Sequence, residues 1–153
     1  NLRFTASKMF ARNLNEQVIK TSTGQYPFAA IVSCIDSRVI AENIFDIGIG
    51  DAFNARVAGN FVNDDILGGL EYSCKVVGSK VILVLGHTHC GAVKAACDNI
   101  ELGNITSLVI NIKPAVEMVG EEVEERNSKN EEFVGLVTKN NVHHTMKQIR
   151  EKW

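Results

Sequence analysis

Two apolar runs without polar alternation constrain the fold of this chain most strongly. They cover residues 28–34 (FAAIVSC) and residues 80–86 (KVILVLG). A strand of this kind is covered on both faces, which is typical of parallel sheets. Residues 52–57 (AFNARV) form a shorter candidate strand that follows a turn at residues 48–51. The sequence therefore predicts an α/β fold, in which α-helices flank a mainly parallel central β-sheet.

Helical spacing of apolar residues accounts for most of the remaining chain. A helical N-terminal arm is predicted over about residues 1–20, and a loop follows as far as Pro27. Further helices are expected from Asp64 or Asp65 to a stop at Gly78, over residues 90–99, from Asn104 with a kink at Pro114, and over residues 131–153. No repeat or linker interrupts the chain, so residues 1–153 are expected to form one domain.

Composition and charge exclude several classes of partner. The net charge is −2 and the sequence pI is about 6.1, which argues against nucleic acid. No apolar run approaches the roughly 20 residues that span a bilayer, so no membrane partner is expected. The N-terminus lacks the apolar stretch of a secretory signal, and a cytoplasmic location is predicted. A targeting segment removed upstream is left open, because the chain does not begin with Met.

Each of the two long apolar strands ends in a cluster of reactive side chains. The clusters are residues 34–38 (CIDSR) and residues 86–91 (GHTHCG). Because sites in parallel sheets form beyond the carboxyl ends of the strands, we expect the clusters to meet. Thiolate and imidazole suit zinc, and three protein ligands leave the fourth position open, as in catalytic sites. Candidate ligands are Cys34, His87 and Cys90, and Asp36 either takes the fourth position or pairs with Arg38.

Three segments together resemble the β-class carbonic anhydrases. They are CIDSRV (34–39), FNARVAGN (53–60) and GHTHCGAVKAA (86–96), and the resemblance runs from about Thr5 to the end of the chain. It implies a Zn²⁺ cofactor held by Cys34, His87 and Cys90, rather than by His89. It further implies that Asp36 and Arg38 form a dyad that gates the fourth position. The implied activity is reversible hydration of carbon dioxide to bicarbonate and a proton, by attack of zinc-bound hydroxide.

The resemblance also implies a substrate pocket of the plant-like type. Gln25, Phe53 and Tyr72 stand where that type lines the carbon dioxide pocket, and Ile31 stands where the other type has tryptophan. The backbone N–H of Gly91 is a further candidate, since glycine lets the main chain approach a ligand closely. In the family, the pocket lies at a dimer interface and the first three residues come from the partner chain. A homodimer or higher homo-oligomer follows from the resemblance.

Two departures from the family pattern leave alternatives open. Val57 stands where the family most often has Asn. The family also usually continues for some dozens of residues beyond the position of Trp153, including a further edge strand. The usual C-terminal segment is thus expected to be absent, and an uncovered sheet edge invites association. The alternatives are a hydrolase of carbon disulfide or carbonyl sulfide with the same fold, and a non-catalytic zinc-binding relative.

Overall fold

The central sheet contains three parallel strands. The structure, a computed structural model, describes residues 2–153. Within this range the strands are β1 (Ala29–Ser33), β2 (Ala52–Arg56) and β3 (Val81–Leu85), in the order β2-β1-β3. Both neighbours pair with β1 in parallel register. The predicted fold class is confirmed, and each strand lies within one residue of its predicted bounds.

Helices flank the sheet and hold far more of the chain than the strands do. They are α1 (Leu2–Thr5), α2 (Leu14–Thr21), α3 (Ala41–Phe45), α4 (Asp64–Glu71), α5 (Gly91–Cys97), α6 (Gly103–Glu117) and α7 (Glu131–Lys152), and α4 continues as a π-helix over Tyr72–Val77. The π-helix ends at Gly78, which has the left-handed φ of 92° that glycine tolerates. Among residues 2–153, no helix combines the length and the apolar composition needed to cross a membrane.

Several predicted helix boundaries are wrong. The arm is two short helices separated by residues 6–13, and Asn1 lies outside the described residues. The side chain of Asn63, not of Asp64 or Asp65, caps α4 by accepting the amide of Ile66 at 3.0 Å. A capping side chain lies one residue before the first helical residue, which explains the shift. Likewise α6 begins at Gly103, so Asn104 is already helical.

The two long apolar strands differ in burial. All five residues of β1 are buried. In contrast, β3 is an edge strand, with Val81 49% exposed and the other residues half-buried. Full coverage was expected of both strands, because each lacks polar alternation. Burial depends on neighbours as well as on the strand's own residues, and no described strand pairs with the outer edge of β3.

Buried apolar residues form two groups. The sheet cluster covers one face of the strands and contains Ala30, Val32, Val62, Leu67, Leu70 and Ile149, with Phe53, Ile82 and Val84 packed against it. The site cluster lies around Cys34 and Cys90 and consists largely of residues from α5, α6 and the first half of α7. Helices therefore enclose the chain just beyond the carboxyl ends of β1 and β3.

Candidate metal centre

Three predicted ligands meet at the carboxyl ends of two neighbouring strands. Cys34 directly follows β1, His87 lies two residues beyond β3, and Cys90 is the residue that precedes α5. The last residues of the two strands, Ser33 and Leu85, are partners in the parallel register. As a result, a ligand atom of each of the three residues lies within 4.8 Å of the others. The sheet thus brings Cys34 next to His87 and Cys90, which are more than fifty residues away in sequence.

The donor atoms fit a tetrahedral zinc ion. The two Sγ atoms are 3.8 Å apart, and two sulfurs about 2.3 Å from a tetrahedral zinc are about 3.8 Å apart. The Nδ1 of His87 donates to the carbonyl of Thr88 at 2.9 Å, which leaves Nε2 with its lone pair free. This Nε2 is buried and has no hydrogen-bond partner among the described residues. A metal ion would satisfy it.

The two thiols differ in acidity. Hydrogen bonds with Cys90 and with the amide of Gly59, 3.3 Å from Sγ, lower the pKa of Cys34 against the opposing effect of burial. The hydrogen bond between the two thiols, together with burial, raises the pKa of Cys90. Cys34 is therefore the first of the two to ionise. Because a second buried thiolate beside it needs a cation, the pair is suited to a divalent metal.

Asp36 is paired with Arg38. The guanidinium donates through Nε to Oδ1 at 2.9 Å and through Nη2 to Oδ2 at 2.7 Å. These bonds hold the pKa of the carboxyl well below its usual range. Oδ2 also lies 3.9 Å from Nε2 of His87. Of the two alternatives for Asp36, the structure has the pair with Arg38, and the carboxylate stands beside the donor group.

Comparison with known proteins identifies the family. The model of the carbonic anhydrase family matches residues 29–153, most of the chain. The chain belongs to the β-class carbonic anhydrase family. Carbonic anhydrase 2 of Mycobacterium tuberculosis is 48% identical over 84 residues, which are 55% of this chain and 41% of the relative. The chain thus matches less than half the length of this curated relative.

Solved β-carbonic anhydrases share the fold. The β-carbonic anhydrase CafA of Aspergillus fumigatus superposes with a TM-score of 0.78 at 27% identity, over 88% of this chain and 65% of that one. One of the two tetrameric β-carbonic anhydrases described from Sordaria macrospora gives a TM-score of 0.75 at 22% identity, over 90% and 78% of the two chains. At 22% identity, the second match shows a shared fold only.

Two residues that support the centre of this β-class family member were missed in the sequence. Arg56 donates to the carbonyl of Cys34 at 3.0 Å and to that of Asp36 at 2.8 Å, and so fixes the loop between them. Gly59 donates its amide to the Cys34 sulfur. Both lie in FNARVAGN, one of the three segments that resemble the family, and this membership could have marked them as candidates. His89, in contrast, is exposed, and its carbonyl accepts from Arg38 at 3.3 Å.

The two aromatic residues expected to line a substrate pocket lie outside the site cluster. The rings of Phe53 and Tyr72 meet edge to face with centroids 6.0 Å apart, and Tyr72 is 50% exposed. Phe53 packs against the sheet cluster. Gln25 is exposed in the loop before β1, and Gly91 is exposed as the first residue of α5. Gly91 thus directly follows the ligand Cys90, whereas Phe53 packs on the sheet cluster.

Proposed function

We propose that the chain catalyses reversible hydration of carbon dioxide to bicarbonate and a proton, with Zn²⁺ held by Cys34, His87 and Cys90. The observation that carries this proposal is the buried donor group, two sulfurs 3.8 Å apart with an unpartnered imidazole nitrogen nearby. Zinc bound there would supply a Lewis acid that lowers the pKa of water in its open position below 15.7, by less than in a site with three histidines, because two thiolates cancel the charge of the ion. Membership of the carbonic anhydrase family supports the same reaction.

The polar residues around the donor group have distinct roles in this proposal. Arg38 binds both oxygens of Asp36 and so keeps this carboxylate ionised and the fourth position open. Oδ2 of Asp36 can then accept a hydrogen bond from a molecule that enters beside His87. The bond from Nδ1 to the carbonyl of Thr88 holds the imidazole in the tautomer that offers Nε2.

We also propose that the active form is a homodimer or a larger homo-oligomer. Gln25, Phe53 and Tyr72 would complete the carbon dioxide pocket of a second copy, in keeping with their position outside the site cluster of their own chain. The apolar side chains that α2 leaves exposed support this arrangement, because such surface is costly in water. A cytoplasmic location fits the proposal, because a reducing compartment keeps both ligand thiols available.

The test is stopped-flow hydration of carbon dioxide, combined with measurement of the zinc content. In the wild type we expect about one zinc per chain and hydration activity. In Cys34→Ser we expect loss of zinc and a fall in activity of more than about 100-fold, since even changes to residues behind the ligands cost 10–100-fold. Cys97→Ser is the matched control, because Cys97 is also buried in the site cluster but lies outside the donor group.

Three outcomes would contradict the proposal. Full zinc occupancy in Cys34→Ser would remove this cysteine from the ligand set. Zinc binding by the wild type without hydration would indicate a non-catalytic relative. Turnover of carbon disulfide or carbonyl sulfide without hydration of carbon dioxide would indicate a hydrolase with the same ligands.

A further inference from the structure

Two buried polar side chains of α7 hold the loop that lies against Cys34. Asn141 donates from Nδ2 to the carbonyl of Gly59 at 2.6 Å, and Thr145 donates from Oγ1 to the carbonyl of Asn60 at 3.2 Å. The two donors are one helical turn apart, and their side chains belong to residues 1% and 0% exposed. A helix more than eighty residues away in sequence thus binds two consecutive carbonyls of the loop.

The loop needs such support because its backbone is strained. Gly59 has φ of 81° and Asn60 has φ of 43°, so two consecutive residues are left-handed. A non-glycine residue in this region costs free energy and persists only where its surroundings fix it. A Cβ at Gly59 would lie 2.4 Å from Cδ1 of Ile112, so only glycine fits. The hydrogen bonds from α7 offset the strain of this turn.

Gly59 joins this support to the metal centre. Its carbonyl accepts from Asn141, and its amide donates to the sulfur of Cys34 at 3.3 Å. An N–H donor draws electron density from a thiolate and fixes its direction, and outer-shell partners of this kind tune metal affinity. Displacement of Gly59 would therefore alter the sulfur that faces the ion.

We infer that Asn141 is a positioning residue for the metal centre, which holds the amide of Gly59 on the Cys34 sulfur, and that Thr145 assists it. The inference rests on the proposed metal site. The hydrogen bonds of both side chains go to backbone carbonyls of the loop, so both residues act through its backbone. The role of α7 is thus to set the donor strength of one ligand as well as to close the core.

The test compares Asn141→Leu with Asn140→Leu. Asn140 is the matched control, because it lies on the same helix and donates to the carbonyl of Ala115 in α6 at 3.4 Å, away from the loop. Each variant loses one amide-to-carbonyl bond. The readouts are the sulfur-to-metal charge-transfer absorption of the Co²⁺-loaded protein and the zinc affinity from chelator competition. Neither readout depends on turnover.

In Asn141→Leu we expect the absorption band to move to lower energy and the zinc affinity to fall by about 10-fold. Asn140→Leu is expected to change neither. Thr145→Val, which keeps the shape of the side chain, should shift the band in the same direction by a smaller amount, and it decides the question if Asn141→Leu does not fold.

Wild-type absorption and affinity in folded Asn141→Leu would overturn the inference, as would an equal shift in Asn140→Leu. If Asn141→Leu does not fold, an unchanged spectrum in Thr145→Val would overturn it. Failure of the wild-type protein to bind Co²⁺ or zinc would refute the proposed metal site together with this inference. An unchanged variant of a metal-binding wild type would refute the inference alone.

Discussion

The metal centre is buried by residues of its own chain, whereas the N-terminal arm, residues 2–21, leaves its apolar side chains exposed. At the metal centre, Cys34 and Cys90 are buried, and groups of the same chain donate to the Cys34 sulfur and hold the Asp36 carboxylate. In the arm, neither α1 nor α2 contains a buried residue. Leu14 and Val18, one turn apart on α2, are 58% and 53% exposed.

One chain is therefore enough to assemble the metal ligands, but a second surface is needed to cover the apolar side chains of the arm. Two distant parts of the sequence supply the metal ligands, and the parallel sheet brings them together. The arm is attached to the body by polar contacts, in which Arg3 and Arg12 bind the carboxylate of Asp46. Its apolar side chains have no such cover, and an amphipathic helix is stable mainly when that face is packed. In the proposed homo-oligomer, a second copy of the chain covers these side chains.

The largest expected effect concerns self-association. Leu14→Glu combined with Val18→Glu should weaken it by at least about 100-fold, because burying each side chain is worth about 1.5–3 kcal/mol. Sedimentation equilibrium would measure the change. Zinc affinity should stay at the wild-type value, since the donor group belongs to one chain.

Ile110→Glu is the control for this experiment, because Ile110 is similarly exposed (60%) but belongs to α6 and not to the arm. An unchanged mass in the double variant would show that α2 does not cover a second copy. Loss of zinc together with the mass change would show that the two regions are coupled.

The strands and the donor group could be predicted because their signals are local. An apolar run of five to seven residues predicts a strand wherever its neighbours lie, and Cys34 and His87 follow such runs directly. The parallel arrangement then places both strand ends at one edge of the sheet. The expected pair of Asp36 and Arg38 is equally local, since only Ser37 separates them.

Features that depend on distant neighbours could not be predicted. The exposure of β3 is set by the absence of a described strand beside it, not by its own residues. The five residues of α3 are too few to give a helical period. The bonds of Arg56 to the loop after β1, and of Asn141 to Gly59, join residues that no sequence pattern connects.

A smaller effect is expected where α7 packs against the end of β3. A Cβ at Gly86, the residue before His87, would lie 2.6 Å from Cγ2 of Val142. Gly86→Ala should therefore lower the free energy of unfolding by about 1–3 kcal/mol, the usual cost of overpacking. Urea unfolding would measure it, and Val142→Ala in the same chain should restore part of the loss.

Gly135→Ala is the control for Gly86→Ala, because a Cβ at Gly135 meets no atom within 4 Å and favours the helix. Destabilisation by Gly86→Ala that Val142→Ala does not relieve would rule out this contact as the cause. If Val142→Ala restores stability, then α7 fixes the position of the end of β3, as it does for the loop at Gly59.

The smallest effect concerns the attachment of the arm and its dependence on pH. The carboxylate of Asp46 is fully buried, and burial raises its pKa. Hydrogen bonds from Arg12, Arg3 and the amide of Phe10 outweigh burial and lower the pKa to about 2. Because the pKa of an unfolded Asp is about 3.9, the stabilisation is complete above about pH 4 and is lost as the pH falls towards 2.

Asp46→Asn should therefore melt below the wild type at pH 6, and the difference in Tm should shrink as the pH falls from 4 to 2. Hydrogen exchange of the amides of residues 8–12 should rise in the variant at pH 6, and in the wild type only under acid conditions. Asp65→Asn, at an exposed carboxylate, is the control and should follow the wild type. A difference that widens in acid would mean that Asp46 is not held as an anion by the two arginines, and the arm would then need another attachment to the body.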